Sequence, residues 1–209
     1  AITTAMMATR RKKLMVFHGG YHGGVLYFAS GAAPWNAPYD FVVAPYNDLP
    51  GTLALIEQHG SELAAVVMEA MLGSGGCVPA DGEFVRGVAA AARAAGALFM
   101  ADEVMTSRLH PGGLSAKLGI EPDLKTLGKY VGGGMSFGAF GGKQAIMALF
   151  DPTNPDALPH AGTFNNNVAT MTAGGVVLGE VFTADLAEQH TARGNEFRAN
   201  VAAVLARHK

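Results

Sequence analysis

The sequence predicts an α/β fold: a mostly parallel sheet flanked by helices. Three observations carry this expectation. Short apolar runs alternate with segments of helical periodicity along nearly the whole chain, which is the pattern of successive βα units. The runs are almost continuous in apolar residues, as strands covered on both faces must be. Finally, 209 residues with 49% apolar and only 15% charged side chains can bury a sizeable core and are no candidate for disorder.

Taken in order, residues 1–9 read as a helix already in progress, with Ile2, Ala5, Met6 and Thr9 at helical spacing and no cap before them. Strands are expected at 14–17, 41–44, 65–69, 98–102, 124–127 and 137–141. Asp48-Leu49-Pro50-Gly51 opens a helix through Leu53 and Ile56 that stops at Gly60, matching N-cap and C-cap preferences. Asp81 opens a second, with Phe84, Val85, Val88, Ala91, Ala92 and Ala95 on one stripe and Gly96 as its stop. Asn165 or Asn167 caps a third running to Phe182, in which Gly174-Gly175 costs helix propensity but permits close packing. Thr183-Ala184-Asp185 reads as a hinge into a final charged helix. Both ends look like cuts through a longer chain.

Composition removes several function classes. Fifteen Lys+Arg against seventeen Asp+Glu give a net charge of −2, which argues against a nucleic-acid binder. The single cysteine, Cys77, permits no internal disulfide framework and suits a cytoplasmic setting. No apolar run reaches the roughly 18–20 residues of a membrane span. No His, Cys, Asp and Glu grouping has metal-ligand spacing.

In open α/β sheets ligands bind beyond the carboxyl ends of the strands, and here those ends are chemically dense. His18-Gly-Gly-Tyr21-His22-Gly-Gly follows the first run, Glu69 the third, Asp102-Glu103 the fourth and Gly128-Lys129 the fifth. An aromatic, carboxylates and a lysine are thereby delivered to one edge of the sheet. Pyridoxal phosphate asks for such parts: a lysine for a Schiff base, an aspartate for the pyridinium nitrogen, an aromatic on the ring face and backbone donors for phosphate. Singly, each residue has an ordinary reading. Lys129 competes with six other lysines, Asp102 could cap a helix, and Tyr21 could be a core aromatic.

The combination is more specific. Ala101-Asp102-Glu103-Val104-Met105-Thr106-Ser107-Arg108 is followed, 27 residues after Asp102, by Lys129 within Thr126-Leu127-Gly128-Lys129-Tyr130-Val131-Gly-Gly-Gly. With Tyr21-His22-Gly23 and His160-Ala161-Gly162-Thr163-Phe164-Asn165 in the same order, the whole chain resembles the class III aminotransferases of pyridoxal-phosphate fold type I. Within that family it is nearest to the β-phenylalanine aminotransferase and glutamate-1-semialdehyde aminomutase subgroups. The resemblance implies the large, cofactor-binding domain over 1–182 and the start of a small C-terminal domain over 183–209. The family's serine-glycine-threonine-glutamate-alanine phosphate segment is expected immediately before Ala1, and most of the small domain after Lys209. Ala70 stands where proline is common, Ser107-Arg108 replaces glycine-phenylalanine-arginine, and Asn166-Asn167-Val168 replaces asparagine-proline. The last two favour the β-amino-acid subgroup.

Carried over residue by residue, the resemblance implies that Lys129 forms the Schiff base and shuttles the substrate proton, and that Asp102 holds the pyridine nitrogen protonated. Val104 and Tyr21 would sandwich the ring. His22 would hydrogen-bond Asp102, with a loop histidine satisfied by backbone as the equal alternative. Glu69 would stand near the cofactor, more as a structural salt bridge than as a contact. Gly162-Thr163, just before a helix, would reach the phosphate of the neighbouring subunit in a homodimer with shared active sites. The implied reaction exchanges an amino group between a β- or ω-amino acid and a 2-oxo acid. Three alternatives stay open: a 2,1-aminomutase, an inactive large-domain fragment, and a nucleotide-binding oxidoreductase. The last needs a G-x-G-x-x-G turn after the first strand, which His18-Gly19-Gly20-Tyr21-His22-Gly23 does not provide.

Overall fold

The computed structural model describes residues 1–208. Helix α1 (Ile2–Thr9) precedes β1 (Lys13–Phe17) and β2 (Asp40–Ala44); α2 (Leu49–His59) leads to β3 (Leu63–Met68). A short hairpin of β4 (Met71–Leu72) and β5 (Val78–Pro79) precedes α3 (Gly82–Ala94) and β6 (Leu98–Asp102). Then follow α4 (Gly113–Lys117), β7 (Leu124–Gly128), β8 (Gly138–Gly142), α5 (Gln144–Met147), α6 (Val168–Val176) and α7 (Ala184–Ala206).

The main sheet runs β2-β1-β3-β6-β7-β8. All its pairings are parallel except the last, β7 with β8, which is antiparallel. All six expected strands are present, within two residues of their expected ends. The hairpin between β3 and α3 was not foreseen, because its two-residue strands leave no periodicity to read.

Alternate residues of each strand feed opposite faces. Met15, Phe17, Val66, Met68, Phe99 and Ala101 pack against Ile56 of α2 and Phe84, Val85, Val88 and Ala92 of α3. Leu14, Val16, Ala65, Val67, Met100 and Leu124 pack against Ala5 of α1, Phe28 and Ile146. Both faces are therefore covered, which explains why the strands read as unbroken apolar runs. No helix among the described residues is long and apolar enough to cross a membrane.

The helix ends differ in detail from expectation. Asp48 caps α2, accepting from Gly51 N at 3.0 Å. Gly60 ends that helix in the right-handed region at φ −55°, not the left-handed one. Its glycine is required by space, since a Cβ there would stand 2.6 Å from Ile56 O and 2.8 Å from Ala95 Cβ. Asp81 precedes α3 without a side-chain cap; its N–H instead donates to Asn47 Oδ1 at 2.9 Å. Arg11 closes the C-terminal ends of α2 and α3 together, donating to Gly60 O at 3.0 Å, Leu63 O at 3.1 Å and Ala95 O at 2.9 Å. Carbonyls at helix ends lack intrahelical partners and attract cations.

Asn167, not Asn165, caps α6, accepting from Thr170 N at 3.2 Å. The helix ends at Val176 and loosens into a π-turn over Val177–Val181. Thr183 caps α7 through Leu186 N at 3.2 Å, and α7 docks on the 3-10 turn Thr106–Leu109, where Thr191 Oγ1 donates to Leu109 O at 3.5 Å.

Candidate active site

The carboxyl ends of β1, β3, β6 and β7 open into one cavity of about 1630 Å³. Six of the seven candidate residues line it: Tyr21, His22, Glu69, Asp102, Val104 and Lys129. The seventh, Thr163, is exposed and outside the lining, although its neighbours Gly162 and Phe164 are in it. Helix α6 begins only at Val168. Gly162-Thr163 therefore lies in a turned loop, and the expectation of an immediate helix start is corrected.

Asp102 ends β6 and is 9% exposed. Its Oδ2 lies 2.7 Å from His22 Nδ1 and its Oδ1 accepts the Val104 N–H at 3.1 Å. Burial pushes this carboxyl up, but the His22 hydrogen bond and charge, helped by the Val104 N–H, outweigh it and bring it below the ordinary aspartate value. The carboxylate thus stays ionised and has no lysine or arginine partner among the described residues. The Val104 contact is local, an N–H two residues on, and no helix starts there: Met105 leads into a 3-10 turn.

Glu69 follows β3. Its Oε1 accepts Tyr21 N at 2.9 Å and its Oε2 accepts Gly73 N at 3.0 Å. Tyr46 OH donates to the Glu69 carbonyl at 2.8 Å. The expected salt bridge is absent among the described residues; two backbone N–H groups stand where the cation was expected. Burial pushes the Glu69 carboxyl up, and these two N–H groups offset only part of the effect. Mechanically, Glu69 clips the Tyr21 loop to the glycine turn of the β4–β5 hairpin. Tyr21 is 42% exposed and packs edge-on to Tyr27 with ring centroids 5.4 Å apart, so it is a cavity-wall aromatic and not a core one.

Lys129 stands immediately after β7 at the head of a 3-10 turn, Lys129–Gly132, with φ at 54°. A left-handed backbone at a non-glycine residue costs on the order of 1–3 kcal/mol and persists only where its surroundings fix it. Those surroundings are tight. A Cβ on Gly128 would stand 3.4 Å from Val104 Cγ1, and one on Gly174 would stand 2.5 Å from Val131 O. Tyr130 is held between Phe182, centroids 4.6 Å apart, and the Arg108 guanidinium at 5.4 Å. Helix α6 therefore packs directly on the turn that carries Lys129, as its glycine pair foretold for Gly174; Gly175 meets nothing within 4 Å.

Two structural contributors were missed from the sequence. Glu103 is 1% exposed and is the anchor of α4, accepting Leu114 N at 2.7 Å, Ser115 N at 2.9 Å and Thr106 Oγ1 at 3.2 Å, with Ser115 Oγ also bound and Lys125 Nζ at 3.4 Å. Gly113 is left-handed at φ 81° and gives this carboxylate its room, since a Cβ would stand 2.4 Å from Oε2. The other is Thr126, whose buried hydroxyl has no hydrogen-bond partner and lines the cavity. Neither carried a local signal beyond its type.

The donor set fits pyridoxal phosphate. A buried ionised carboxylate without a permanent cation can take a protonated ring nitrogen, and an amine stands across the same cavity. Glycine backbone lines the same cavity at 23, 73 and 162, and at Gly23 a Cβ would meet nothing within 4 Å, which leaves room for close approach.

Comparisons with known proteins agree with this geometry. The family model described as aminotransferase class-III matches residues 1–209. The chain is 53% identical over 207 residues to the β-phenylalanine transaminase of Variovorax paradoxus, covering 99% of this chain and 47% of that protein. It is 40% identical over 217 residues to the glutamate-1-semialdehyde 2,1-aminomutase of Pyrobaculum arsenaticum, covering 94% and 51%. The crystal structure of the Variovorax paradoxus β-phenylalanine aminotransferase superposes with a TM-score of 0.91 over 94% of this chain and 46% of that one. An ω-transaminase from Sphaerobacter thermophilus, 36% identical, gives 0.89 over 99% and 52%. The chain thus spans about half the length of the relatives it matches. Its sheet and flanking helices are those of fold type I pyridoxal-phosphate transferases, and a further 30%-identical neighbour is a transaminase with the cofactor bound. From its site geometry and from a match along its whole length, the chain belongs to the class III aminotransferases, a family that uses pyridoxal 5′-phosphate.

Proposed function

We propose that the protein of which this chain is part transfers an amino group between a β-amino acid and a 2-oxo acid. The observation that carries the proposal is the convergence of Lys129, the His22–Asp102 pair and Tyr21 on one cavity in a chain 53% identical to a β-phenylalanine transaminase. The cofactor, when bound, supplies an aldehyde for amino-group exchange and a pyridinium ring that takes up the electrons released at the substrate carbon.

The chain's residues act around it. Lys129 Nζ would hold the cofactor and carry the proton at the amino-bearing carbon of the substrate. Asp102 would keep the proton on the ring nitrogen, and His22 holds Asp102 ionised and oriented. Tyr21 and Val104 would confine the ring. Glu69 holds the Tyr21 loop in place. Thr163 serves the phosphate of a neighbouring subunit, which makes the active unit a homodimer; its exposure and its position beside the cavity-lining Gly162 and Phe164 support that reading. Residues 1–182 form the cofactor-binding domain, and 183–209 begin the small domain.

The second reading, an internal 2,1-transfer, is favoured by a 40% identity to an aminomutase, lower than the 53% to the β-phenylalanine transaminase. One experiment separates them. With pyridoxal phosphate present, the protein is given β-phenylalanine with a 2-oxo acid, or glutamate-1-semialdehyde alone. Amino-group transfer that requires the 2-oxo acid supports the proposal. Turnover of the semialdehyde without any acceptor, and none of the β-amino acid, contradicts it.

A further inference from the structure

Among the described residues, three buried side-chain polar atoms have no hydrogen-bond partner: Ser107 Oγ, Arg108 Nε and Thr126 Oγ1. Of these three residues only Thr126 lines the cavity. An unpaired buried hydroxyl is unfavourable, and valine would fill the same volume without that cost. A threonine at such a place needs a partner that the geometry without ligand leaves out of reach.

Position narrows the choice of partner. Thr126 on β7 is the register partner of Asp102 on β6, so the two side chains leave the same face of the sheet side by side. The backbone around Thr126 is fixed, because its carbonyl accepts the Glu103 N–H at 3.0 Å. A β-branched residue on a fixed strand has little χ1 freedom. Asp102 has acceptor capacity to spare: each oxygen has one geometric partner, His22 on Oδ2 and Val104 N on Oδ1, and a carboxylate can accept about four. The Thr126 hydroxyl is already near enough to favour the ionised form of Asp102, yet it lacks hydrogen-bond geometry. With Thr126 held, it is the Asp102 carboxylate that must turn to complete the hydrogen bond.

We infer that Thr126 is a positioning residue of the cofactor site, whose hydroxyl donates to the Asp102 carboxylate when a protonated heteroaromatic ring is bound against it. Together with His22, the hydroxyl then fixes the plane of the carboxylate, so that one oxygen is held toward the ring nitrogen. This rests on the reading of Asp102 as the ring-nitrogen partner.

The test uses Thr126→Val, Thr126→Ser and Asp102→Asn with two probes. One is 4′-deoxypyridoxine 5′-phosphate, which has the ring nitrogen but no aldehyde, so Lys129 does not enter. The other is its 1-deaza analogue, which has carbon in place of that nitrogen. Affinity is read by fluorescence titration, and thermal stability is read without ligand. Thr126→Val should be at least as stable as wild type without ligand, bind the first probe about ten-fold more weakly, and bind the deaza probe as wild type does. Thr126→Ser should retain wild-type affinity for the first probe. Unchanged binding of the first probe by Thr126→Val, or equal weakening for both probes, overturns the inference. If Asp102→Asn also leaves the first probe unaffected, the Asp102 reading fails and this inference with it. If Asp102→Asn weakens binding and Thr126→Val does not, only the role of Thr126 is refuted.

Discussion

Replacing Glu103 by glutamine is expected to destabilise the fold severely while leaving every cavity-lining side chain in place. The magnitude follows from the contacts. Oε1 accepts Ser115 N at 2.9 Å and Ser115 Oγ, with Lys125 Nζ 3.4 Å away, and Oε2 accepts Leu114 N at 2.7 Å and Thr106 Oγ1 at 3.2 Å. Whichever way the amide is turned, its NH2 faces a backbone N–H, so that donor is left buried and unpaired. Such a group costs about 1–3 kcal/mol. Lys125 keeps its hydrogen bond to Gly112 O at 2.8 Å and its side chain is 26% exposed, so loss of its ion-pair partner adds only about 0–1 kcal/mol. A loss of about 1–4 kcal/mol in all is a large share of the roughly 5–15 kcal/mol that stabilises a typical domain. Urea unfolding monitored by far-UV circular dichroism measures it as a shift in midpoint at unchanged slope. A loss below about 1 kcal/mol would refute the view that Glu103 anchors α4 to the end of β6.

Gly174→Ala should cost about 1–3 kcal/mol by overpacking, because the new Cβ meets Val131 O at 2.5 Å; urea midpoints check it, and a neutral effect would show that α6 can lift off the lysine turn freely. Asp102 has a folded-state pKa below its ordinary value of 3.8, so its contribution to stability is complete above that pH and is lost as pH falls through the folded value. The stability gap between wild type and Asp102→Asn should therefore shrink below pH 3.8 in acid titrations, and a constant gap would contradict the ionised pairing with His22. On the proposed homodimer reading, a full-length Lys129→Ala subunit mixed with a Thr163→Ala subunit should recover up to about half of wild-type activity per heterodimer, since both defects fall in one of two sites. Two crippled sites would place Thr163 in its own subunit's chemistry.

Much of the sheet was readable from the sequence because strands covered on both faces leave unbroken apolar runs, and β1, β3 and β6 are of that kind. The antiparallel β8, Gly-Ala-Phe-Gly-Gly, could be located but not oriented, since no residue in it encodes direction. Asp48 and Asn167 acted as caps where their side chains reached an N–H three residues on. Asp81 did not: its side chain accepts no N–H of α3, and only its backbone N–H is engaged, by Asn47 Oδ1. Candidate site residues could be listed because parallel strands deliver their following residues to one edge, as for Asp102 and Lys129. Contacts across the sheet were not legible. Glu69 reaches Tyr21 and Gly73, Arg11 reaches three carbonyls from α2, β3 and α3, and Glu103 reaches α4 eleven and twelve residues on. Each depends on segments that meet only after folding. Thr126 is legible only as an unpaired atom, which no sequence pattern reports.

Whether Lys129 is the amine of a pyridoxal-phosphate site is decided directly by one measurement. The protein is incubated with pyridoxal phosphate, reduced with borohydride, digested and examined by peptide mass spectrometry, with the chain's other lysines as internal controls. A phosphopyridoxyl group is expected on the peptide carrying Lys129, at near one per chain, and is expected to be lost in Lys129→Ala with the fold retained by circular dichroism. A label spread over surface lysines, or one that persists at equal yield in Lys129→Ala, would contradict it.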